Sequence, residues 1–152
     1  EGLHFLDLFA GSGAVGVEAL SRGAALVEAV ESNAVSAAVC EQNFALLANL
    51  PEIGKFRVYP KTAFEFLNHT ASKPYEIIFM DPPYEVANSE IEKILKKILT
   101  LNLLNKFGVV AIERDGKAKS FTWPEGLMES KVRSYGAGSI HYGVVSNAQI
   151  SD

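Results

Sequence analysis

Thiol chemistry is almost absent from this sequence. Cys40 is the single cysteine among 152 residues, so the chain can form neither an internal disulfide nor a metal site built from paired thiolates. The three histidines, His4, His69 and His141, show no metal-ligand spacing, and we predict no metal site. A chain without disulfides suits a reducing compartment, and we expect a cytoplasmic location.

Long apolar runs are also absent. The longest are strand-sized, such as the run from Ile77 to Met80, whereas a membrane helix needs about 20 apolar residues. The sequence shows no basic start followed by an apolar core and a small-residue cleavage site, so nothing in it indicates export. We therefore expect no membrane partner.

Positive charge is scarce for a protein that would bind nucleic acid. Lys and Arg number 14 against 18 Asp and Glu, which gives a net charge of -4. Because phosphate binding is largely electrostatic, this balance counts against a nucleic-acid surface. A hydrophobic content of 48% is ordinary for a globular protein. The length fits one domain over residues 1–152.

Strand-like and helix-like segments alternate along the chain, which is typical of an α/β fold with a parallel sheet. We predict strands at residues 4–9, 26–30, 56–59, 76–80 and 109–113, and helices at 14–22, 33–50, 63–69 and 89–99. Ser32 and Ser89 are predicted to cap the second and fourth helices. Residues 131–135 and 139–145 form two further predicted strands. Their connection is too short for a parallel crossover, so we predict antiparallel pairing.

Glycines follow the first predicted strand at a spacing typical of a ligand-binding turn. Gly11, Gly13 and Gly16 form G-x-G-x-x-G, which lets a ligand approach the backbone and the unpaired N–H groups of a helix start. The spacing alone is weak evidence, because a nicotinamide dinucleotide uses the same geometry. Glu31 also lies where that motif places its ribose acid. For Gly16, close packing of helix on sheet is the simpler interpretation.

Asp7 helps to distinguish S-adenosylmethionine from a nicotinamide dinucleotide as the predicted ligand. It stands directly ahead of the glycines, where a carboxylate would repel a pyrophosphate but could accept hydrogen bonds from the amino group of a methionine moiety. The same negative charge would favour a sulfonium, and Glu31 could hold both ribose hydroxyls. The two acids favour S-adenosylmethionine over a dinucleotide. The alternative is that Gly11 and Gly13 merely form a tight connection and Asp7 caps the helix.

Asp81, Pro82, Pro83 and Tyr84 follow the fourth predicted strand, at the sheet edge where open α/β proteins bind ligands. The exocyclic amine of a nucleic-acid base is a poor nucleophile, because its lone pair is delocalised into the ring. The Asp81 carboxylate and the Pro82 carbonyl could accept both amine hydrogens and aim the lone pair at a methyl carbon. Tyr84 could stack on the base. The alternative is a proline-rich turn with an incidental aspartate.

These segments together resemble a known family. The chain contains, in order, L-D-L-F-A-G-S-G-A-V-G-V-E-A-L-S-R-G-A, V-E-S-N, D-P-P-Y and V-V-A-I-E, followed by Y-G near the end. The set is similar to the RsmD-like methyltransferases, which modify the exocyclic N2 amine of a guanine in small-subunit ribosomal RNA. The resemblance implies a Rossmann-like class I methyltransferase fold of three layers, α/β/α. Its mixed seven-stranded sheet has the order 3-2-1-4-5-7-6, with the last strand antiparallel.

The resemblance also implies a monomeric enzyme that uses S-adenosylmethionine and takes 16S ribosomal RNA as its partner, presented by the small ribosomal subunit. Family members begin with a basic β-hairpin, whereas this sequence opens directly before its first strand. We therefore expect one catalytic domain without that extension. Where the family has an Asp-Ala that holds adenine, this chain has Thr62-Ala63. The Thr62 hydroxyl and the Ala63 N–H are expected to replace it.

The sequence thus predicts a donor site and an amine site at one sheet edge. The predicted catalytic residues are Asp81, Pro82, Pro83 and Tyr84. The predicted donor-binding residues are Asp7, Phe9, Gly11, Ser12, Gly13, Glu31, Ser32, Thr62 and Ala63. Three alternatives remain: an adenine N6 amino methyltransferase acting on DNA or RNA, an NAD-binding oxidoreductase, and a non-catalytic binding module. Glu113 is interpreted as a structural or charge-balancing residue.

Overall fold

Strands and helices alternate along the chain as predicted. The computed structural model describes residues 2–69, 74–116 and 120–146. The elements are β1 His4–Asp7, α1 Ala14–Ser21, β2 Leu26–Val30, α2 Ala34–Ala45, β3 Lys55–Tyr59, α3 Ala63–His69, β4 Tyr75–Met80, α4 Asn88–Thr100, β5 Leu104–Asp115, β6 Leu127–Tyr135 and β7 Gly138–Val145. Within these described ranges, no helix is long and apolar enough to cross a membrane.

The seven strands form one sheet in the order β3-β2-β1-β4-β5-β7-β6. The first five strands are parallel, and β7 runs antiparallel to both of its neighbours. Gly136 has a φ of 51° in the short connection between β6 and β7. The expected class I methyltransferase sheet and the antiparallel pairing are confirmed.

Helices cover the sheet on both faces, because neighbouring side chains on a buried strand point in opposite directions. Phe5 belongs to one core cluster, together with Leu20 of α1 and Phe44 of α2. Leu6 belongs to a second cluster, together with Ile94 of α4. The result is three layers, with the carboxyl ends of the parallel strands left open at one edge.

The predicted cap of α2 is wrong by one residue. Asn33 is the N-cap, and its side-chain oxygen accepts a hydrogen bond from Ser36 N at 3.0 Å. Ser32 therefore lies outside the helix, which spans Ala34–Ala45 and ends before the predicted residue 50. Serine and asparagine are both favourable N-cap residues, so residue type alone does not distinguish Ser32 from Asn33. The structure has the N-cap, with its extended backbone, at Asn33.

The predicted cap of α4 is also wrong. The helix begins at Asn88, one residue before Ser89, and its N-cap Ala87 makes no side-chain hydrogen bond. The first strand ends at Asp7 rather than at Phe9. There the Asp7 side chain accepts a hydrogen bond from Phe9 N at 3.1 Å, which turns the backbone out of the sheet.

Candidate active site

A cavity of about 640 Å³ opens at the carboxyl ends of the parallel strands, the edge at which open α/β sheets bind ligands. Five segments contribute to it: the β1 to α1 turn, the end of β2, the start of α3 with the loop before it, the end of β4 with the segment after it, and α4. The lining residues are Asp7, Leu8, Phe9, Ala10, Gly11, Ser12, Ala14, Val15, Glu31, Ser32, Lys61, Thr62, Ala63, Phe64, Phe79, Asp81, Pro83, Val86, Glu90 and Ile94. The structure therefore brings the Gly11 turn and Asp81 together around one space.

Two glycines shape the β1 to α1 turn for different reasons. Gly11 has a left-handed φ of 56°, and a Cβ there would meet nothing within 4 Å. Gly13 has a φ of 86°, and a Cβ there would lie 2.7 Å from Sγ of Cys40 and 3.2 Å from Phe44. Gly11 borders the cavity, whereas Gly13 allows α2 to pack closely against the turn.

Asp7 is a buried acid beside the cavity. Its side chain is 1% exposed. The pKa of Asp7 is raised to about 7: burial is the largest cause, the hydrogen bond from Phe9 N opposes the rise, and the nearby charges of Asp81 and Glu31 add to it. A positive charge in the cavity would restore the ionised form, because opposite charges lower the pKa of an acid. The arrangement suits an ammonium or sulfonium ligand.

Backbone groups fix the Glu31 carboxylate at the end of β2. Its Oε1 accepts a hydrogen bond from Gly11 N at 2.8 Å, and its Oε2 accepts one from Asn33 N at 2.8 Å. The Glu31 N–H donates to the carbonyl of Tyr59 at 3.0 Å. A carboxylate oxygen can accept more than one hydrogen bond. Glu31 therefore has the capacity to hold the two hydroxyls of a ribose.

Thr62 and Glu65 form a capping box at the start of α3. The Thr62 hydroxyl oxygen accepts a hydrogen bond from Glu65 N at 3.1 Å, and Thr62 N donates to the Glu65 carboxylate at 3.1 Å. Ala63 is the first residue of α3, where the N–H has no partner within the helix. Since the Thr62 hydroxyl carries a hydrogen, a ring nitrogen of adenine suits it better than the adenine amine.

The residues of the segment after β4 line two cavities. Asp81 and Pro83 line the main cavity. All four residues of Asp81, Pro82, Pro83 and Tyr84 line a second cavity of about 520 Å³. The Pro83 carbonyl accepts a hydrogen bond from Val86 N at 2.9 Å, which closes the turn. Tyr84 is 81% exposed, so its ring is open to a ligand in the second cavity.

Glu113 of β5 contacts Asp81 at the boundary of the second cavity. The two carboxyl groups are close enough to influence each other's pKa, and a hydrogen bond between them would need a proton on one of the two. Burial raises the pKa of Glu113, and the charge of Asp81 raises it further. Burial also raises the pKa of Asp81, and the hydrogen bond with Glu113 opposes that rise. Glu113 is thus in direct contact with a predicted catalytic residue.

Sequence reasoning missed several residues of the main cavity. Lys61 lies just before Thr62, Phe64 belongs to α3, and Glu90 and Ile94 belong to α4. Lys61 had a detectable signal, because it follows a predicted strand at the same sheet edge. Ile94 had none, since its apolar spacing predicts only a buried helix face.

These features fit S-adenosylmethionine. Its amino group and sulfonium are positive, and the charges of Asp7, Glu31 and Asp81 are close enough to influence one another electrostatically. Glu31 suits a ribose, and the apolar side chains of Phe64 and Ile94 offer surface for a flat ring. A pyrophosphate would instead bring further negative charge to three acids.

Comparison with known proteins agrees with this geometry. Residues 1–144 match the model of a family described as conserved hypothetical protein 95. The ribosomal RNA small subunit methyltransferase D of Escherichia coli is 40% identical over 108 residues, which cover 71% of this chain and 48% of that protein. The chain spans about half the length of its curated relatives in Escherichia coli and Buchnera aphidicola.

Solved structures share the fold. A conserved hypothetical protein of Streptococcus pyogenes has a TM-score of 0.83 at 26% identity, covering 96% of this chain and 88% of that chain. The magnesium protoporphyrin IX methyltransferase of Synechocystis, solved with bound SAM, has a TM-score of 0.70 over 95% of this chain and 71% of that chain. Its identity of 12% shows the fold alone. By its family match and its relatives, this chain belongs to the conserved hypothetical protein 95 family, the RsmD-like methyltransferases.

Proposed function

We propose that this chain is the catalytic domain of an enzyme that transfers a methyl group from S-adenosylmethionine to the exocyclic N2 amine of a guanine in 16S ribosomal RNA. One observation carries the proposal: Asp81 lies in the wall of both the acidic main cavity and the second cavity with its open Tyr84 ring. A donor in the first cavity and a flat acceptor in the second would meet at Asp81.

The donor end of the proposal rests on two acids, Asp7 at the end of β1 and Glu31 directly after β2. Asp7 would pair with the amino group of the methionine moiety, and Glu31 would hold the ribose hydroxyls. Gly11 would let the ligand approach the turn without a side chain in the way. When bound, S-adenosylmethionine supplies an electrophilic methyl group on a positive sulfur.

The acceptor end rests on Asp81, Pro82 and Tyr84. Asp81 and the Pro82 carbonyl would accept the two amine hydrogens and direct the nitrogen lone pair at the methyl carbon. As the new C–N bond forms, the old C–S bond breaks and its electron pair stays on sulfur. The amine loses one proton, which Asp81 would pass to solvent. Positioning and electrostatics would supply the catalysis, with no covalent enzyme intermediate.

The small-subunit RNA substrate and the N2 position are the finer parts of the proposal. The name of the Escherichia coli relative supports the RNA class. A base inside a helix cannot reach a cavity at a sheet edge, so the target guanine must lie in a loop or be flipped out of its stack. Tyr84 would hold the extruded base, since stacking on an aromatic ring contributes about 1 to 3 kcal/mol.

The test incubates the full-length protein that carries this chain with labelled donor and unmethylated small ribosomal subunits. We expect label in N2-methylguanosine, identified by mass spectrometry of the digested RNA. Asp81→Ala should lower transfer at least about 1000-fold while leaving donor affinity within about twofold, because Asp81 acts on the amine. Glu31→Ala should weaken donor binding about 10-fold or more.

Glu41→Ala is the matched control, since it removes an exposed acid from α2 outside the lining of the main cavity. It should change neither measurement. Label in N6-methyladenosine would replace the guanine assignment with an adenine methyltransferase. Donor binding without any transfer by the full-length protein would overturn the proposed catalysis in favour of a binding module.

A further inference from the structure

The second cavity is lined by both acidic and aromatic side chains. Its acids are Asp81, Glu113 and Asp115, and its rings are those of Tyr84 and Tyr135. Both tyrosines are open to a ligand, with exposures of 81% and 47%. A flat base between such rings would bring its hydrogen-bonding edge towards the acids.

Strand register places Glu113 beside Asp81. In the parallel pairing of β4 with β5, Met80 is opposite Ile112, so the next residues along the two strands are Asp81 and Glu113. On its other side, Glu113 is opposite Ile140 of β7. The two carboxyls are therefore held side by side by the sheet itself, at the point where β4 ends.

The guanidinium of Arg114, which lines the second cavity, donates hydrogen bonds to the start of α4 and to the loop before it. Arg114 is the one Lys or Arg among the described residues that line this cavity, and its guanidinium donates to the Val86 carbonyl at 3.2 Å and to Asn88 Oδ1 at 2.9 Å. The other titratable groups in the lining are Asp115 and the phenols of Tyr84 and Tyr135. A proton on either Glu113 or Asp81 would keep the pair from carrying two adjacent charges.

Guanine and adenine differ at the position next to the reactive amine. Guanine presents N1–H beside its N2 amine, which gives adjacent donors, whereas adenine presents a bare N1 acceptor beside its N6 amine. A pair of adjacent carboxyl groups can accept from adjacent donors when both are ionised. A bare nitrogen acceptor would instead face the lone pairs of the second carboxylate.

We propose that Glu113 is the specificity-determining residue of the acceptor cavity, accepting the N1–H of a guanine whose N2 amine is held by Asp81. This inference rests on the proposed function and goes beyond it by naming the group that distinguishes the base. When guanine binds, any proton held by Glu113 or Asp81 leaves to solvent, and the N1–H and N2–H groups are the donors to the two carboxylates. The raised pKa of Glu113 makes guanine binding sensitive to acid, because a protonated carboxyl is a weaker acceptor and adds an O–H donor.

The decisive probe is 2-aminopurine, which keeps the exocyclic amine at position 2 but has no hydrogen on N1. Once mass spectrometry has located the methylated guanosine, 2-aminopurine is placed at that position in reconstituted subunits. The full-length wild-type protein should prefer guanine by roughly 10- to 100-fold in kcat/KM. Glu113→Gln should reduce this preference to below about fivefold, because the amide can donate to the bare N1.

Two further measurements distinguish base recognition by Glu113 from a purely structural role of this residue. For guanine, with S-adenosylmethionine saturating at every pH so that Asp7 does not contribute, Glu113→Gln should move the acid-side decline of kcat/KM to lower pH, because one of the two carboxyls with a raised pKa is removed. Its Kd for S-adenosylmethionine at pH 8 should stay within about twofold of the wild type. Glu41→Gln, the matched change on exposed α2, should alter none of these values. If Glu113→Gln fails to bind the donor, Glu113→Asp replaces it. This shorter acid should lose guanine activity about 10-fold and keep the acid-side decline.

Failure of this inference is distinguishable from failure of the proposed function. If the wild type methylates guanine and Glu113→Gln keeps both the full preference over 2-aminopurine and an acid-side decline at the wild-type pH, Glu113 does not recognise the base. The same conclusion follows if the wild type methylates both bases equally. If the wild type methylates no guanine at all, the proposed function itself is wrong.

Discussion

The protonated form of Asp7 favours stability, whereas the ionised form would favour donor binding. A pKa of about 7 in the folded chain, against an ordinary value of 3.8 for an aspartate side chain, means that the folded state holds this proton more tightly than the unfolded state. Stability from this group is therefore full below pH 3.8 and is lost as the pH rises through 7. Above pH 7, ionisation of Asp7 costs up to about 4 kcal/mol.

Asp7→Asn should therefore stabilise the protein and weaken its donor site. The amide is neutral at all pH values and its oxygen can still accept from Phe9 N. The gain in the free energy of unfolding should grow between pH 4 and pH 7 and reach up to about 4 kcal/mol. Urea unfolding at several pH values measures it. A gain that does not change with pH would contradict the burial argument.

The same variant should bind S-adenosylmethionine about 10- to 100-fold more weakly at pH 8, as expected when a hydrogen bond to a charged partner is lost. Wild-type affinity should itself fall below pH 7, because Asp7 must be ionised to hold the amino group. Isothermal titration calorimetry measures both effects. Equal affinities of the two proteins at pH 8 would remove Asp7 from the donor site.

At the scale of elements, α1 packs closely against β2 and α2 because Gly16 has no side chain. A Cβ on Gly16 would lie 2.7 Å from Cζ of Phe44 and 3.0 Å from Cγ1 of Val27. Phe44 has no room to retreat, because it is fully buried and stacks on Phe56 with ring centroids 5.1 Å apart. These contacts support the predicted packing role of Gly16.

Gly16→Ala tests whether crowding outweighs helix propensity. Alanine favours a helix over glycine by about 1 kcal/mol, whereas overpacking a core costs about 1 to 3 kcal/mol. We expect a net loss of about 1 kcal/mol in chemical denaturation. In a Phe44→Leu background the loss should vanish, since the shorter side chain leaves space. An equal loss in both backgrounds would show that the Phe44 ring is not responsible.

Sequence patterns predicted the elements well where hydrophobic spacing decides, as in the match of α3 and β2 to residues 63–69 and 26–30. They failed where tertiary contacts decide. Buried Glu28 accepts hydrogen bonds from the hydroxyls of Tyr59 and Tyr75 at 2.6 and 2.8 Å, and these partners lie 31 and 47 residues away along the chain. The contact of Asp81 with Glu113 likewise depends on the register of β4 and β5, which spacing does not reveal.

At the scale of the whole molecule, the net negative charge of this chain does not suit the RNA substrate that we propose. Its 18 acids outnumber 14 Lys and Arg, and Asp7, Glu31, Asp81 and Glu113 lie at the two cavities. Such a distribution suits a positive donor and disfavours phosphates. RNA affinity of the proposed enzyme would therefore have to come mainly from surfaces other than these two cavities.

The 152-residue chain alone should bind RNA weakly. We expect a Kd above about 100 μM for a small-subunit RNA fragment at physiological salt, with a plot of log K against log salt shallower than about -2. Fluorescence anisotropy at several salt concentrations measures both, with the full-length protein as the comparison. Micromolar binding with a steep salt dependence would mean that the described surface holds phosphates despite its net charge.

The shared wall at Asp81 and Pro83 also determines how the two ligands must arrive. Both side chains line both cavities, so under the proposed function the donor and the base would meet directly across them. Such a transfer would require both ligands to be bound at once, and turnover would pass through a ternary complex.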